Sequence, residues 1–288
     1  MILLPANVRA GQEVLSIRLL VSEAVPFAQQ TATQLEAQLR RESPLIAIEE
    51  SGPVTTNTRR LIVAVGGPAL GQALRESSHT PILTVATPGA LLDKLPRQDG
   101  VALHVIQMEM PAGRLFNLIR LVFPQHDTVG VLFGPSSRAR ATQMESAAAE
   151  RGIRLVAERV DQEVAVGPAT ERLVQHAPVL LALPDSVVHN ATTVPPLLLI
   201  AYRAGVPLLG YSESYLRAGA MVALYATAGQ VAQQAFDVIK AYHQGHPLPG
   251  LQVPRYYSVG VNATVARSLG LSPPPAEVLE NRLRQMRE

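Results

Sequence analysis

The sequence predicts an α/β protein made of two lobes, and three observations lead to this fold class. The chain has 288 residues, which is too many for one ordinary core and suits two α/β lobes. Short β-rich runs alternate with helix-length amphipathic segments, a pattern typical of parallel sheets with right-handed crossovers. The alternation restarts near Arg114 and changes its order after Ala220. A single doubly wound sheet does not account for that change.

The first lobe is predicted as a series of strands separated by helices. Residues 17–21 form a continuous apolar run, as expected of a strand buried on both faces. Pro26 opens a helix whose apolar residues share one face. Gly66-Gly67-Pro68 ends one strand and starts the next helix. The further strands are predicted at 45–48, 61–65, 82–85 and 101–106.

The second lobe repeats this pattern. A helix at 114–123 precedes a strand at 129–133, and Ser136 and Ser137 are N-cap candidates for a helix running to residue 151. Pro195 and Pro196 fall in the first turn of a helix at 193–204, where proline is tolerated. The remaining predicted elements are strands at 155–160, 179–183, 206–210, 221–225 and 256–261, helices at 231–242 and 263–269, a loop at 245–250, and a polar surface helix or frayed tail after 275.

Composition excludes several classes of protein. Apolar residues make up 47% of the chain and charged residues 17%, so wholesale disorder is excluded. The net charge is +2, and the basic residues are scattered, so we expect no nucleic-acid partner. No apolar run approaches the ~20 residues that span a bilayer. Residues 1–10 lack the pattern of a secretory leader, so we expect either a cytosolic protein or a mature form without its leader.

No pattern in the sequence supports catalysis or a resident cofactor. The chain has no cysteine, which removes thiolate nucleophiles and zinc sites that contain cysteine. The seven histidines show neither i,i+4 pairing nor a carboxylate at metal-ligand spacing. The serines do not stand in Gly-x-Ser-x-Gly, and the Gly-Lys-Ser/Thr phosphate loop is absent. We therefore expect neither an enzyme nor a metal or cofactor site.

Residues 181–271 carry a resemblance to a known family. Its motifs are Leu183-Pro184-Asp185, the run Ala204-Gly205-Val206-Pro207-Leu208-Leu209-Gly210, the run Tyr215-Leu216-Arg217-Ala218-Gly219-Ala220, then Tyr225, Gly229-Gln230 and Gly245, and finally Ser258-Val259-Gly260-Val261-Asn262-Ala263 with Ala266-Arg267-Ser268-Leu269-Gly270-Leu271. In this order they resemble ABC-transporter substrate-binding proteins of the type I periplasmic-binding fold, in particular the tryptophan- and tyrosine-binding branch. The first half of the chain matches only in layout.

The resemblance implies two Rossmann-like lobes with parallel sheets, joined by three crossover segments. It implies an N-terminal lobe at 1–107 plus 226–252 and a C-terminal lobe at 108–225 plus 253–288. It also implies a monomer in the periplasm or another extracytoplasmic place, whose partners are a small-molecule ligand and an ABC permease. The expected ligand is an amino acid or related metabolite, captured between the lobes by hinge bending near 107–109 and 225–227.

Candidate ligand contacts in the first lobe follow the predicted strands, because open parallel sheets bind ligands at the carboxyl ends of their strands. The backbone N–H groups of Gly66 and Gly67 face a ligand carboxylate in one interpretation and form a tight turn in the other. Thr84 and Thr87 are candidate hydroxyl donors, although Thr is common in strands for packing reasons. Ser22 completes this set of predicted contacts.

Candidate contacts in the second lobe begin with Ser136 and Ser137, one capping the helix and the other bonding a ligand carboxylate. Asp185 follows a buried strand, and the family places an Asp there, so we expect it to pair with a ligand ammonium group. The alternative for Asp185 is an Asx cap of the following turn.

Ser212 and Glu213 line the same rim of the second lobe in this prediction, with Glu213 equally able to be a solvated charge. Tyr225 offers aromatic surface, as do Phe133 and Tyr211, but the chain has no Trp. An aromatic amino-acid ligand is therefore in doubt.

Two other functions stay open on the sequence alone. A ligand-sensing or interaction module of the same fold would act on a signalling partner rather than a permease. A two-lobed enzyme such as a nucleotide-sugar transferase would need a carboxylate–metal motif or a catalytic base, and we find neither in the sequence.

Overall fold

The structure is a computed structural model that describes residues 14–42, 46–49, 58–77, 79–95 and 100–287. The chain divides into two compact units. The first contains the described residues up to Glu109 together with Ala226–Tyr256, and the second contains Met110–Tyr225 and the described residues from Tyr257 onward. The chain therefore passes from one unit to the other three times. The N-terminal segment 1–10 and residue 45 of a predicted strand lie outside the described residues.

The elements of both units are named here in chain order. The strands are β1 Val14–Val21, β2 Ile46–Ile48, β3 Thr58–Val65, β4 Ile82–Thr87, β5 Leu103–Gln107, β6 Thr128–Phe133, β7 Arg154–Arg159, β8 Leu180–Leu181, β9 Leu208–Gly210, β10 Val222–Tyr225, β11 Leu251–Gln252 and β12 Ser258–Val261. The α-helices are α1 Pro26–Glu42, α2 Gly67–Glu76, α3 Gly89–Leu92, α4 Ala112–Val122, α5 Ala141–Ala149, α6 Val166–His176, α7 Val194–Arg203, α8 Glu213–Ala218, α9 Ala228–His243, α10 Ala263–Ser268 and α11 Ala276–Gln285.

The first unit is built on a sheet with the strand order β11-β5-β4-β3-β1-β2, in which every pair is parallel. Its strands are apolar and β-branched, as expected of a sheet covered by helices on both faces. Helices α1 and α9 pack together over one core, to which Leu35 and Ile239 contribute fully buried side chains. Helix α2 contributes Leu70 to a second core. The carboxyl ends of β1, β3, β4 and β5 therefore lie side by side along one edge.

The second unit has the strand order β12-β10-β9-β8-β6-β7. All its pairs are parallel except β10 with β12, which is antiparallel. Helices α6 and α7 share one core with Leu132 and Leu208. Helix α4 packs against α5 and α11. The carboxyl ends of β6, β8 and β9 are neighbours.

The predicted fold class is confirmed, since two mainly parallel six-stranded sheets alternate with helices along the chain. The structure adds three details to the predicted elements. The helix predicted from Ser136 opens with a 3-10 turn at Arg138–Arg140, so that α5 starts at Ala141. The two-residue strand β11 follows the predicted loop at 245–250. The C-terminal segment is an ordered helix, α11, because Leu279 and Leu283 are buried.

Candidate functional site

In the first unit, Ser22 and Gly66 meet where β1 and β3 end. The Ser22 side chain is buried, and its Oγ accepts a hydrogen bond of 3.1 Å from the Ala69 N–H in the first turn of α2. Gly66 has a φ of 92°, and a Cβ added there would lie 2.5 Å from Ser22 Oγ. Only glycine fits this turn, because any side chain meets both a left-handed backbone and the serine.

The N–H groups at the start of α2 are mostly used within the protein. The Gly66 N–H donates to Val85 O at 2.9 Å, Pro68 has no N–H, and Ala69 is bonded to Ser22. None of these bonds involves the Gly67 N–H, which is therefore the one N–H group among residues 66–69 that they leave over for a ligand. The space beside Gly67 is narrow, since a Cβ there would lie 2.8 Å from Leu91 Cδ2.

Thr84 and Thr87 bond each other inside the first sheet. Both side chains are fully buried, and their hydroxyl oxygens lie 2.8 Å apart. Thr84 also donates to Ala64 O at 3.3 Å. Ala86 between them has a φ of 55°, and the register of β4 against β5 shifts over the same stretch. The two hydroxyls therefore form hydrogen bonds within the irregular part of β4, a role that the packing interpretation of these threonines did not include.

Glu109 follows β5 and was not among the predicted site residues. Its Oε1 accepts the Gly89 N–H at 2.8 Å, while Oε2 is buried and has no hydrogen-bond partner in the described part of the chain. A buried polar atom without a partner carries a penalty of roughly 1–3 kcal/mol. The signal that was available in the sequence is a carboxylate two residues after a strand end.

In the second unit, Asp185 is buried and joins two loops at the carboxyl edge of the sheet. Its Oδ2 accepts the N–H groups of Ser136 and Ser137, both at 2.8 Å, and the Ser137 hydroxyl at 3.0 Å. Its Oδ1 accepts the N–H groups of Val187 at 3.0 Å and Val188 at 3.2 Å. The carboxylate thus has five donors, which is the way a buried charge is stabilised.

This arrangement brings together three of the predicted contacts, and they bind one another. Asp185 accepts the N–H groups of both Ser136 and Ser137, of which one was predicted to cap the helix and the other to bond a ligand carboxylate. The Asx cap expected as the alternative for Asp185 is present in its bonds to Val187 and Val188. Ser137 also accepts the Gly134 N–H at 2.9 Å through its hydroxyl, whereas the Ser136 side chain is half-buried.

Ser212, Glu213 and Tyr225 lie at the next part of the same edge. Ser212 caps α8, accepting the Tyr215 N–H at 3.0 Å. Glu213 is exposed and pairs with Arg217 at 2.8 Å. Tyr225 is half-buried; burial raises the pKa of its hydroxyl, and the carboxylates of Glu213 and Glu280 add to this increase. The Glu213 carboxylate therefore lies close enough to Tyr225 to act on its hydroxyl electrostatically.

Three aromatic side chains, His189, Tyr211 and Tyr215, form a group that we call the His189 cluster. Their ring centroids lie 5.3–5.8 Å apart. His189 Nδ1 is 2.8 Å from the Tyr215 hydroxyl, while Nε2 is buried without a partner among the described residues. Burial lowers the pKa of His189 to about 4, with the Asp185 carboxylate opposing the shift. Burial also raises the pKa of Tyr211 to about 12.

His189 was not predicted as a site residue, because its sequence neighbourhood carries no motif. Its importance comes from packing between the segment after β8 and the start of α8, which sequence spacing does not reveal. Within the described ranges, no group of three His, Asp or Glu side chains is placed to hold a metal ion. None of the helices in those ranges is long and apolar enough to cross a membrane.

Three solved structures with this fold are similar to the chain over nearly its full length. A substrate binding protein with adhesive properties from Clostridium difficile, in its ligand-free, open form, has a TM-score of 0.71 and 17% identity, with 92% of this chain and 97% of that chain covered. A conserved domain protein from Vibrio cholerae has a TM-score of 0.61 and 20% identity, with 94% and 98% covered. An ABC domain from Streptococcus pneumonia in complex with L-Trp has a TM-score of 0.61 and 14% identity, with 93% and 98% covered.

These likenesses establish the fold, and the family is established by sequence. No curated protein sequence matches this chain significantly. The family model described as "ABC transporter substrate binding protein" matches residues 29–279, which extends the resemblance seen at 181–271 through most of both units. The predicted family is confirmed: the chain belongs to the ABC transporter substrate-binding proteins.

Proposed function

We propose that this protein is the solute-binding component of an ABC-type importer and captures a small polar ligand, an amino acid or a related metabolite. In this proposal it acts outside the cytoplasm as a monomer and passes its ligand to a membrane permease. Family membership and the two-unit fold support the solute-binding role. The finer assignment rests on two buried atoms, Glu109 Oε2 and His189 Nε2.

In each unit, one of these two atoms lacks a hydrogen-bond partner that a polar group of the ligand can supply. Buried polar groups are normally hydrogen-bonded, and each exception calls for an explanation. The described residues contain three such side-chain atoms, and two of them follow strands, Glu109 after β5 and His189 after β8. These are the ends of parallel strands at which ligands bind in open α/β sheets. A ligand group that bonds to either atom relieves the penalty at that atom.

The available groups fit a molecule with both a donor and an acceptor end. Glu109 Oε2 suits an ammonium or hydroxyl donor, and the Gly67 N–H suits a carboxylate. Since Asp185 is already bonded to five donors, we assign the ammonium contact to Glu109. Asp185 and Ser137 then shape the edge of the second sheet. Ser22, Thr84, Thr87 and Gly66 do the same in the first unit.

Ser136, Ser212, Glu213 and Tyr225 remain proposed contacts of the second unit. The Ser136 side chain is only half-buried, and the Ser212 hydroxyl, which accepts the Tyr215 N–H, keeps its own proton to donate. Tyr225 offers both a ring and a hydroxyl that stays protonated at neutral pH, because its pKa is raised by burial. These side chains supply adaptable polar contacts around the two fixed positions.

Capture proceeds in this proposal by hinge bending at the crossover segments near 107–109 and 225–227. A ligand shifts the equilibrium toward a closed form only by the difference between its affinities for the two forms. Contacts to both units provide that difference, since a ligand bound to one unit alone has equal affinity for the open and closed forms.

Calorimetry tests this function directly. Protein freed of bound molecules by unfolding and refolding is titrated with the twenty common L-amino acids, and at least one is expected to bind. Glu109→Gln is expected to weaken that binding at least about tenfold, since a charge-assisted bond is lost. The matched control is Glu158→Gln, which alters a half-buried carboxylate paired with Arg172 and leaves affinity unchanged. Absence of binding by every compound would contradict the amino-acid assignment.

A further inference from the structure

The His189 cluster provides a donor with a fixed position and no acceptor. The His189 side chain is 9% exposed, and its ring packs edge-on against Tyr211 and Tyr215. Nδ1 lies 2.8 Å from the Tyr215 hydroxyl, and Nε2 has no partner among the described residues. The imidazole is therefore held at three points, and one ring nitrogen is left for another molecule.

The proton of His189 is assigned to Nε2 by comparing how many groups each tautomer satisfies. If the Tyr215 hydroxyl donates to Nδ1, both of these groups are bonded and only the Nε2–H lacks a partner. In the other tautomer the Tyr215 proton and the Nε2 lone pair are both left without partners among the described residues. Burial raises the pKa of Tyr215, which keeps the phenol protonated and able to donate.

The charge near this donor determines which acceptor suits it. The Asp185 carboxylate acts electrostatically on both His189 and Tyr211. Burial holds the imidazole neutral above about pH 5, since the pKa of His189 is about 4. An anionic acceptor would therefore meet a neutral donor and a nearby negative charge. An uncharged oxygen forms the hydrogen bond without that repulsion.

We propose that the Nε2–H of His189 donates to an uncharged oxygen of the bound ligand, a carbonyl or hydroxyl, and that the Tyr211 ring packs against the part of the ligand beside that oxygen. This subsite rests on the proposed solute-binding function and narrows its ligand class. The ligand has a neutral oxygen at the end that contacts the second unit. It follows that an amide or phenol side chain is preferred over a carboxylate of the same shape.

Two substitutions of His189 separate the ligand contact from the structural one. Asn places its amide near the position of Nδ1, so His189→Asn keeps a partner for Tyr215 and loses the group at Nε2. Gln places its amide nitrogen near Nε2, so His189→Gln keeps the donor toward the ligand. His176→Asn, at an exposed histidine of the same unit, is the matched control. Thermal unfolding followed by circular dichroism checks that each variant folds.

Calorimetry uses matched pairs of probes that differ at the oxygen: L-glutamine with L-glutamate, L-asparagine with L-aspartate, and L-tyrosine with L-phenylalanine. The first member of at least one pair is expected to bind the unmodified protein about tenfold or more tightly than the second. Glutamate and aspartate offer the donor an acceptor that the Asp185 charge repels, and phenylalanine offers it none. His189→Asn is expected to remove this preference, His189→Gln to recover most of it, and His176→Asn to retain it.

Each other outcome overturns a defined part of the proposal. If one probe binds and His189→Asn binds it equally well, the subsite is wrong while the solute-binding function stands. Preference for the anionic member contradicts the inferred acceptor. If none of the six probes binds but another of the twenty amino acids does, the subsite fails and the amino-acid assignment stands; if none of the twenty binds, both fail. Long-range nitrogen–proton NMR of the unliganded protein reads the tautomer independently, and a proton on Nδ1 would overturn the assignment of the donor.

Discussion

In both sheets, a polar side chain that follows one strand bonds the backbone that follows the neighbouring strand, but the two side chains differ in charge. In the first unit, Ser22 follows β1 and binds the start of α2, which follows the neighbouring strand β3. In the second unit, Asp185 follows β8 and binds the turn that follows the neighbouring strand β6. The Ser22 hydroxyl accepts one backbone N–H, whereas the Asp185 carboxylate accepts four backbone N–H groups and the Ser137 hydroxyl.

The comparison shows that a buried charge constrains more of the surrounding backbone than a buried hydroxyl does, because the charge needs more hydrogen-bond donors. Asp185 determines the conformation of both adjacent loops and requires glycine at position 134, where a Cβ would lie 2.3 Å from its Oδ1. Ser22 requires only glycine at position 66. We therefore expect the second edge to depend on its polar residue far more strongly than the first.

The largest expected effect is that of Asp185→Asn. The amide removes the negative charge and turns one acceptor into a donor that faces N–H groups, so the free energy of unfolding of the second unit should fall by about 4 kcal/mol. Urea denaturation followed by circular dichroism measures this. Asp161→Asn, an exposed residue paired with Arg138, is the control and should change stability by less than ~0.5 kcal/mol. A loss below ~1 kcal/mol at Asp185 would refute the argument from buried charge.

The next effect concerns pH, because the second edge holds a buried titratable ring. His189 has a pKa of about 4 in the folded protein against 6.5 for the ordinary side chain. Between these values the unfolded state binds the additional proton, so stability is complete above about pH 6.5 and decreases as the pH falls to 4. The loss attributable to His189 is about 3 kcal/mol. Unfolding measured from pH 7 to pH 4 should show a shallower decrease for His189→Asn than for the unmodified protein.

The smallest effect is expected in the first unit. Gly66→Ala adds a Cβ at a φ of 92° and against Ser22, which should destabilise the protein by about 2 kcal/mol. Combining it with Ser22→Gly removes the contact but not the backbone strain, so the double variant should lose less than the two single losses together. Thermal or urea unfolding of the four proteins measures the difference, and strict additivity would show that the serine does not constrain Gly66.

Periodicity was sufficient to predict the alternation of strands and helices, and it failed only for short elements; the three crossover segments were implied by the family resemblance. The apolar run of β1 and the stripe of α9 are long enough to show their periods, and both were predicted. Strand β11 has two residues and α3 has four, so neither shows a period. The C-terminal helix was left open because its burial depends on contact with β12 and α4 rather than on its own composition.

The sequence predicted where polar residues lie in the fold, but not which groups they bind. Asp185, Ser136 and Gly66 were chosen because they follow strands, and the structure places them beside the carboxyl ends of strands. The bond between Asp185 and Ser136 joins residues 49 positions apart, and no local pattern specifies it. His189 and Glu109 were missed because the property that distinguishes them, a buried atom without a partner, exists only after the chain has packed.

The division of each unit into separate stretches of chain has a consequence for biosynthesis. Helix α9 supplies Val231, Ala235 and Ile239 to the core that also contains Leu35 of α1, although nearly two hundred residues separate them in the sequence. When the ribosome has completed the first 109 residues, that apolar face still lacks its cover. This face stays uncovered until α9 leaves the ribosome, so the first unit cannot finish folding before residues 110–225 of the second unit have been translated.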